Sequence, residues 1–355
     1  MNFLPPRSWI EIDLKKLESN VHNIKAALPK SCAYICVVKA DAYGHCMPQS
    51  MLRFLSGGAD YFAVANVYEA SRVRELISDK PILVLSPILK IERNFVFDYS
   101  AIPAISTLEE CEHFDALAKE HNEILTVHIK VDTGMGRVGV WHEEAPEFIK
   151  AVKTFKHLKI GGIFTHLSCA DCDKNYTIEQ LNNFKKAISH FDLSDLLIHA
   201  HNSAGIEFFE EDSVFNAVRV GLLQYGILPC QDMKKVDVES VLSFKAIVSA
   251  ISENNGKRLA AISAGYGDGV PADFTSNACV LIGGKKCPII GNVALDEMFA
   301  DISNVANVKV GDEVVFIGSQ NNECIDLYSY SLWTRRIPWE TMVSLPTRVR
   351  RNLIF

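Results

Sequence analysis

The 355-residue sequence lacks several features that would assign it to a specialised class of protein. It has no apolar run of membrane-spanning length, and Met1 to Arg7 contain no charged leader followed by a long apolar segment. It has no excess of positive charge, because 43 acidic residues outnumber 36 basic ones and give a formal charge of −7. The basic cluster Arg348, Arg350 and Arg351 is interpreted as a solvated chain end. These observations predict a soluble, cytoplasmic protein that binds neither membranes nor nucleic acid.

The sequence also lacks the cysteine pattern of a disulfide framework or a zinc site. Ten cysteines are dispersed along the chain, and without a secretion signal they are expected to be reduced thiols. Cys169 and Cys172 form a CxxC pair, for which a redox or zinc role is the alternative, but no second pair completes a tetrahedral site. His199 and His201 have no carboxylate at ligand spacing beside them. We therefore expect no bound metal.

What the sequence does contain is a regular alternation of strand and helix patterns. Eight short apolar runs rich in β-branched and aromatic residues are separated by segments with helical periodicity, which predicts an α/β fold with a parallel (β/α)8 barrel. From about residue 235 the pattern changes to strands without long helices, which predicts a second, mainly β domain. We expect the barrel to span 1–232 and the β domain 233–355, with the first ten or so residues able to pair with the β domain. The predicted barrel strands are 33–38, 61–65, 82–85, 101–105, 126–131, 160–165, 196–200 and 217–220.

Unusual polar residues follow several of these strands. A lysine at the end of a buried strand, such as Lys39, either extends to solvent or is an amine made nucleophilic by partial desolvation. The carboxyl ends of the strands form the face on which barrel enzymes carry their chemistry, and the loops after strands seven and eight commonly bind phosphate. The Ser203 hydroxyl and the Gly221 N–H suit a phosphate oxygen. The residues expected to meet at this face are Lys39, Lys130 to Arg137, His166, Asn202, Ser203 and Arg219 to Gly221.

The segment from Val37 to His45, Val-Val-Lys-Ala-Asp-Ala-Tyr-Gly-His, closely resembles the lysine motif of alanine racemases, which hold pyridoxal phosphate (PLP). The resemblance extends over essentially the whole chain, barrel first and β domain second. Its other landmarks are Lys130 to Arg137, Thr165-His166, Asn202-Ser203-Ala204, Arg219-Val220-Gly221 and the glycine-rich turn Ala264 to Gly269.

The resemblance implies two catalytic bases, Lys39 and Tyr266. Racemisation removes a proton from one face of a carbon and returns one to the other face, so two bases must stand on opposite sides. Lys39 would hold PLP, and Tyr266 would come from the partner subunit of a homodimer with composite active sites. Tyrosine ordinarily titrates near pH 10, and the resemblance provides His166 beside Tyr266 to stabilise its anion.

The resemblance also implies the residues that bind cofactor and substrate. Arg137 would bind the substrate carboxylate, and in some members the lysine matching Lys130 is carbamylated and steadies that arginine. Arg219 would donate to the pyridine nitrogen of PLP, where PLP decarboxylases use a carboxylate instead. The phosphate contacts implied in this way are Tyr43, Ser203 and Gly221, and Asn202 is a further residue expected to bind the cofactor.

Two departures from the family pattern affect the binding residues. Leu295 stands where the family usually has a methionine whose backbone N–H helps bind the substrate carboxylate, and Asn292 replaces a nearby arginine. Trp339 stands where a tyrosine hydroxyl contacts the cofactor phosphate, so it keeps one donor but no acceptor.

The sequence therefore predicts a PLP-dependent alanine racemase that interconverts L- and D-alanine and supplies D-alanine for peptidoglycan. The altered pocket keeps open a serine or broad-specificity racemase. A non-catalytic PLP-binding barrel is a further alternative, although such proteins usually lack the β domain and its tyrosine, both of which are present.

Overall fold

The computed structural model describes residues 6–210, 214–230, 233, 236–274 and 277–355. In the first part of the chain the elements are β1 (Ser8–Asp13), α1 (Leu14–Ala26), β2 (Ala33–Val37), α2 (Lys39–Gly44), α3 (Met47–Gly57), β3 (Tyr61–Val64), α4 (Val67–Leu76), β4 (Ile82–Val84), α5 (Phe95–Asp98), β5 (Ala101–Ile105), α6 (Leu108–Glu120), β6 (Leu125–Asp132), β7 (Val140–Trp141), α7 (Ala145–Val152), β8 (Leu158–Phe164), α8 (Lys174–Ile188), β9 (Leu197–His199) and β10 (Ala217–Val220). In the second part they are β11 (Leu242–Asn254), β12 (Lys257–Ile262), β13 (Cys279–Ile282), β14 (Lys285–Ile290), β15 (Met298–Asp301), β16 (Glu313–Gln320), β17 (Glu323–Ile325), α9 (Leu327–Trp333), α10 (Pro338–Ser344) and β18 (Arg350–Ile354).

The eight predicted barrel strands form a closed parallel barrel. They pair in the ring order β2, β3, β4, β5, β6, β8, β9 and β10, and β10 returns to pair with β2. The short strand β7 adds to the edge of β6. Ile35, Val37, Ala63, Leu83 and Ala217 form a separate buried cluster contributed by the barrel strands, as expected for a filled barrel interior. The predicted barrel is confirmed.

The second sheet is mainly antiparallel and has the strand order β17, β16, β13, β14, β15, β12, β11, β1 and β18. The mainly β character predicted for this part of the chain is confirmed, although β15, β17, β18 and the helices α9 and α10 were not anticipated. The N-terminal strand β1 pairs antiparallel with β11 and parallel with β18, so it belongs to this sheet. The predicted boundary between the barrel and the β domain lies between residues 232 and 233, and residue 232 is outside the described residues. Residues 1–5, part of the segment expected to pair with the β domain, are also outside them.

The C-terminal arginines are a solvated end only in part, because Arg348 and Arg350 are exposed whereas Arg351 is not. Arg350 begins β18, and Arg351 is half-buried and donates hydrogen bonds to the carbonyl oxygens of Leu345 and Pro346. Arg348 forms ion pairs described below. These contacts could not be predicted from charge, because a guanidinium group can donate either to water or to backbone carbonyl oxygens, and the sequence does not show which are nearby.

The helical turn α2 that carries Lys39 is left-handed. Ala40, Asp41, Ala42 and Tyr43 have φ angles between 52° and 54°, a conformation that costs about 1–2 kcal/mol per residue for L-amino acids. We call Lys39–Gly44 the lysine turn. Such strain persists only where surrounding contacts determine the conformation.

Helix α10 packs directly on the lysine turn. Gly44 has a φ of +78°, and a Cβ atom there would lie 2.6 Å from the carbonyl oxygen of Met342 in α10. This close approach requires glycine. It brings the C-terminal helix, with Trp339 in its first turn, beside the barrel face that carries Lys39.

Three further properties concern membrane spans, metal ligands and the state of the cysteines. Among the described residues, no helix is long and apolar enough to cross a bilayer. The same residues contain no group of three or more histidine, cysteine or acidic side chains able to hold a metal ion. All ten cysteines are free thiols.

Candidate active site

A cavity of about 680 Å³ opens at the carboxyl ends of the barrel strands. Its lining includes ten of the twelve residues that the sequence singled out, and Tyr266 and Leu295 are the two outside it. The ten are Lys39, Tyr43, Lys130, Arg137, His166, Asn202, Ser203, Arg219, Gly221 and Trp339.

The lysine turn is fixed to its neighbours by two carboxylates. Glu69, near the start of α4, accepts a hydrogen bond from the backbone N–H of Ala40 at 2.8 Å and another from Ala65 at 2.8 Å. Asp41 accepts one from the N–H of Met47 at 2.8 Å. Glu69 was not singled out from the sequence, although Asn66 and Glu69 have the spacing of a capping box, and Asn66 does cap α4.

Tyr43, Ser203 and Gly221 converge into what we call the anion cradle. Ser203 Oγ accepts hydrogen bonds from the N–H of Gly221 at 3.1 Å and of Leu223 at 3.3 Å, which leaves its own O–H free to donate. A Cβ atom on Gly221 would lie 2.9 Å from the Tyr43 hydroxyl, so a side chain here would fill the cradle. Burial, followed by the nearby Glu69, raises the pKa of Tyr43 to about 12, so the hydroxyl remains a donor. The Tyr43 and Ser203 hydroxyls fit a phosphate group, whereas the Gly221 N–H expected to contact it is donated to Ser203 Oγ.

Asn202 supports the loop beside the cradle. Its Nδ2 donates to the carbonyl oxygen of Leu167 at 3.1 Å, and its Oδ1 accepts from the N–H of Gly205 at 2.9 Å. Both contacts are within the protein, so Asn202 shapes the loop that presents Ser203.

Arg219 is buried, and neighbouring groups orient it. Nη1 contacts Nδ1 of His199 at 2.7 Å and donates to the His199 carbonyl oxygen at 3.0 Å. Nη2 donates to the carbonyl oxygens of Thr165 at 2.6 Å and Ala200 at 3.1 Å. Among the described residues none accepts from Nε, which is therefore available to a ligand atom. His199, considered above as a metal ligand, instead contacts this arginine.

The cavity carries an excess of positive charge. Burial, followed by Arg137 and Arg219, lowers the pKa of Lys130 to about 8, and burial alone lowers that of Arg219 to about 9. The pKa of Lys39 is lowered by burial and then by Arg137, against an opposing effect of Glu69. Two amines of lowered pKa, together with two guanidinium groups, fit a ligand that bears both a phosphate and a carboxylate.

His166 is a neutral imidazole in this setting. Burial first, and then Arg219 and Arg137, hold its pKa well below the usual range. Its Nδ1 lies 3.4 Å from Nη2 of Arg219. It can therefore accept or donate hydrogen bonds, but it brings no positive charge of its own to a tyrosine anion.

Arg137 ends a loop that Asp132 organises. We call residues 132–137 the arginine loop. The Asp132 carboxylate accepts from the N–H groups of Gly134 at 2.9 Å, Gly136 at 3.2 Å and Arg137 at 3.1 Å. The spacing of Asp132 and its glycines in the sequence motif is thus explained by a carboxylate that holds three backbone N–H groups.

Helix α8 holds the arginine loop from the other side. Tyr176 donates its hydroxyl to the carbonyl oxygen of Gly134 at 2.7 Å. Gln180 donates to the Thr133 hydroxyl at 3.4 Å and accepts from the N–H of Ser168 at 2.9 Å. Neither residue could be recognised from the sequence, because both lie on an ordinary amphipathic helix.

Tyr266 and Leu295 lie side by side on two adjoining turns of the mainly β domain. The N–H of Tyr266 donates to the carbonyl oxygen of Ala294 at 2.9 Å, and that of Gly267 donates to Leu295 at 2.9 Å. Tyr266 is 52% exposed and Leu295 48% exposed, and neither lines the cavity that contains Lys39. We call the turn that carries Tyr266, together with the adjoining turn that carries Leu295, the tyrosine ridge. One chain therefore does not bring the two predicted bases together.

Arg348 ties the two turns of the tyrosine ridge together. It forms ion pairs with Asp268 at 3.1 Å and Asp296 at 2.8 Å. Asp268 also accepts from the N–H of Gly265 at 3.0 Å, at the start of the turn that carries Tyr266. Arg348 thus contributes to the position of a residue 82 positions before it in the chain, which no local pattern reveals.

A barrel with a strand-end lysine of lowered pKa, an anion cradle after the last two strands and a buried arginine beside it defines a PLP enzyme of the barrel type. The family "Alanine racemase, N-terminal domain" matches residues 12–229, and "Alanine racemase, C-terminal domain" matches 230–353. The chain belongs to the alanine racemase family, whose members are PLP-dependent isomerases.

Curated proteins and solved structures agree with this assignment over the whole chain. The alanine racemase of Halothermothrix orenii is 34% identical over 97% of this chain and 96% of its own length. That of Thermodesulfovibrio yellowstonii is 35% identical over 97% of each. The alanine racemase of Clostridium difficile in complex with cycloserine has a TM-score of 0.90 at 28% identity, covering 99% of this chain and 96% of that one. The enzyme of Bartonella henselae, with covalently bound pyridoxal phosphate, has a TM-score of 0.89 at 26% identity, covering 99% and 100%.

Proposed function

We propose that this protein interconverts L- and D-alanine by a two-base mechanism in which Lys39 and Tyr266 act on opposite faces of the substrate carbon. The observation that carries the proposal is the position of Lys39 beside the anion cradle with a lowered pKa. When bound, PLP supplies the electron withdrawal that makes the substrate Cα–H acidic. An amine of lowered pKa is more readily present as the neutral base that takes up that proton.

Other residues of the cavity bind and orient. The anion cradle would hold the cofactor phosphate, and Arg219 would donate from Nε to the ring nitrogen. A donor that stays protonated keeps the ring nitrogen unprotonated and favours reversible proton transfer. Arg137 would bind the substrate carboxylate, held in place through the arginine loop.

The second base would come from a partner subunit. The proposal of a homodimer with composite sites is supported by the tyrosine ridge, whose Tyr266 and Leu295 are exposed and lie outside the cavity of their own chain. A two-fold arrangement would insert each ridge into the partner's cavity and complete both sites. Leu295 would then offer its backbone N–H to the substrate carboxylate.

Lys130 would steady Arg137 as a carbamate. A pKa of about 8 leaves part of its amine neutral near physiological pH, and a neutral amine can add carbon dioxide. The negative carbamate would attract Arg137, whereas a protonated Lys130 repels it.

In the cell, this activity would supply D-alanine for peptidoglycan from the cytoplasm, a reducing compartment in which free thiols are the normal state. A serine or broad-specificity racemase is the second candidate, favoured by the replacement of methionine by Leu295 in the ridge. The carrier alternative predicts PLP binding without any turnover.

The experiment is a racemisation assay of the purified protein with each small amino acid in deuterated water. Deuterium incorporation into alanine at a higher kcat/KM than into serine supports the proposal. A higher value for serine supports the second candidate. A bound chromophore that borohydride removes, without exchange into any amino acid, identifies a carrier.

A further inference from the structure

Two thiols meet at the rim of the cavity in the loop after β8. The backbone N–H of Cys172 donates to the carbonyl oxygen of Cys169 at 3.0 Å. A four-residue turn closed in this way holds its end Cα atoms within about 7 Å, which overlaps the span of a disulfide. Desolvation first, and then the Asp171 carboxylate and the Cys169 thiol, raise the pKa of Cys172. Both cysteines are free, and Cys172 is exposed.

The residues around this pair belong to the wall of the cavity. Ser168 precedes Cys169, Asp171 precedes Cys172, and both Ser168 and Asp171 line the cavity. A bond between the two sulfur atoms would constrain the turn in which Asp171 lies, and with it the part of the wall that Asp171 forms.

The same turn leads into the helix that holds the arginine loop. The N–H of Asp173 donates to the carbonyl oxygen of Cys169 at 2.8 Å, and the Asp173 side chain caps α8 by accepting from the N–H of Tyr176 at 2.9 Å. Tyr176 then donates to Gly134 in the arginine loop. A continuous set of hydrogen bonds thus joins the thiol pair to the loop that ends at Arg137.

We propose that Cys169 and Cys172 form a reversible disulfide that shifts the arginine loop and weakens substrate binding. The disulfide itself is independent of the function proposed above, whereas the effect on substrate rests on the role proposed there for Arg137. In a reducing compartment a disulfide of this kind is transient and regulatory.

The oxidant is a small disulfide such as oxidised glutathione. Cys172, the exposed thiol of the pair, loses its proton to solvent above neutral pH because its pKa is raised. The thiolate then attacks one sulfur atom of the oxidant, forms a mixed disulfide and releases one small thiolate. The Cys169 thiolate then attacks Sγ of Cys172, closes the intramolecular bond and releases the second thiolate. The protein loses two protons and two electrons, and the small disulfide becomes two thiols.

The test treats the holoenzyme with oxidised glutathione, blocks remaining thiols and maps peptides by mass spectrometry without reduction. We expect the peptide that contains both cysteines to lose two hydrogens and escape alkylation, and dithiothreitol to reverse this. A glutathione adduct that persists on Cys172, or two alkylated thiols, would overturn the proposed bond.

The functional consequence is measured on the same samples. Oxidation should raise KM for alanine by about threefold or more in the unmodified sequence and in Cys324→Ser, an exposed cysteine elsewhere, and dithiothreitol should restore it. Cys169→Ser and Cys172→Ser should each lose this response.

Tyr176→Phe, which keeps both thiols but lacks the hydroxyl that reaches Gly134, should form the disulfide with a smaller change in KM. If the disulfide forms and KM is unchanged, the disulfide does not affect substrate binding. If Tyr176→Phe shows the full change in KM, the effect does not pass through the Tyr176 hydroxyl. An enzyme inactive when fully reduced would count against the proposed function, and the peptide map would still report on the bond.

Discussion

The carboxylate of Glu69 accepts a hydrogen bond from the backbone N–H of Ala40 at 2.8 Å, directly after Lys39. Its other oxygen accepts from Ala65 at 2.8 Å, so one side chain joins the left-handed lysine turn to the start of α4. Glu69 also raises the pKa of Lys39, against burial and Arg137, which lower it. It therefore both positions the lysine and limits its loss of basicity.

Glu69→Gln tests both effects. Glutamine has one acceptor in place of two, so one backbone N–H loses its partner, and racemisation should fall about tenfold through misplacement of Lys39. Removal of the negative charge removes an effect that raises the pKa of Lys39, so that pKa should fall further. The pH at which PLP capture by the apoprotein reaches half its maximal rate, followed by absorbance, should therefore move to lower pH. Glu75→Gln on the same helix, where Glu75 pairs with the exposed Arg72, is the matched control. A midpoint that moves upward would contradict the assignment.

Lys39 and Lys130 are the two lysines of the cavity that could bind PLP covalently. Both line the cavity and both have lowered pKa values. We predict that borohydride reduction followed by peptide mapping finds the cofactor on Lys39, because Lys39 lies on the same turn as Tyr43 of the anion cradle. Lys39→Ala should lose covalent cofactor and essentially all racemisation, whereas Lys130→Met should keep the cofactor on Lys39. A cofactor-modified peptide containing Lys130 would reverse the two roles.

The barrel could be predicted from sequence because parallel strands buried on both faces are continuous apolar runs, such as 33–38 and 101–105. The cavity residues could be predicted in the same way, because they are polar residues that directly follow these apolar runs, at the carboxyl ends of the strands. The short strand β17 and the chain-terminal β18 were missed. Their apolar content is low, and tertiary pairing with β16 and β1 determines them.

The residues that support the site were harder to predict than the residues in it. Glu69, Tyr176 and Arg348 act through backbone groups or through ion pairs distant in sequence, and their own surroundings resemble those of ordinary surface residues. The left-handed lysine turn was likewise not predicted, because Ala40 to Tyr43 contain no glycine or asparagine to signal positive φ angles. Tertiary contacts from Glu69 and α10 impose that conformation.

Gly221 and Tyr43 should show a non-additive effect on cofactor affinity. Gly221→Ala places a Cβ atom 2.9 Å from the Tyr43 hydroxyl, so PLP affinity should fall about tenfold or more through crowding of the cradle. Tyr43→Phe removes that hydroxyl and one phosphate donor, and should also weaken binding. In the double variant the Cβ atom no longer meets the hydroxyl, so the combined loss should be smaller than the sum of the two in free energy. Titration of the apoproteins with PLP measures all three. If the losses of PLP binding free energy add in the double variant, the Tyr43 hydroxyl and a side chain at Gly221 do not interact.

The separation of Lys39 from Tyr266 within one chain predicts intersubunit complementation. Lys39→Ala and Tyr266→Phe should each be nearly inactive alone, because each lacks one of the two bases. In a mixed dimer one site carries both defects and the other carries none, so co-refolding equal amounts should restore activity. Random pairing makes half of the dimers mixed with one intact site each, which corresponds to about a quarter of the activity of the unmodified enzyme. Leu52→Ala, an exposed position on α3, mixed with Lys39→Ala is the matched control for refolding, and this mixture should keep about half of the activity. If exchange is demonstrated by mass spectrometry of the native dimers and the two inactive variants still fail to complement, Tyr266 does not serve the partner's Lys39.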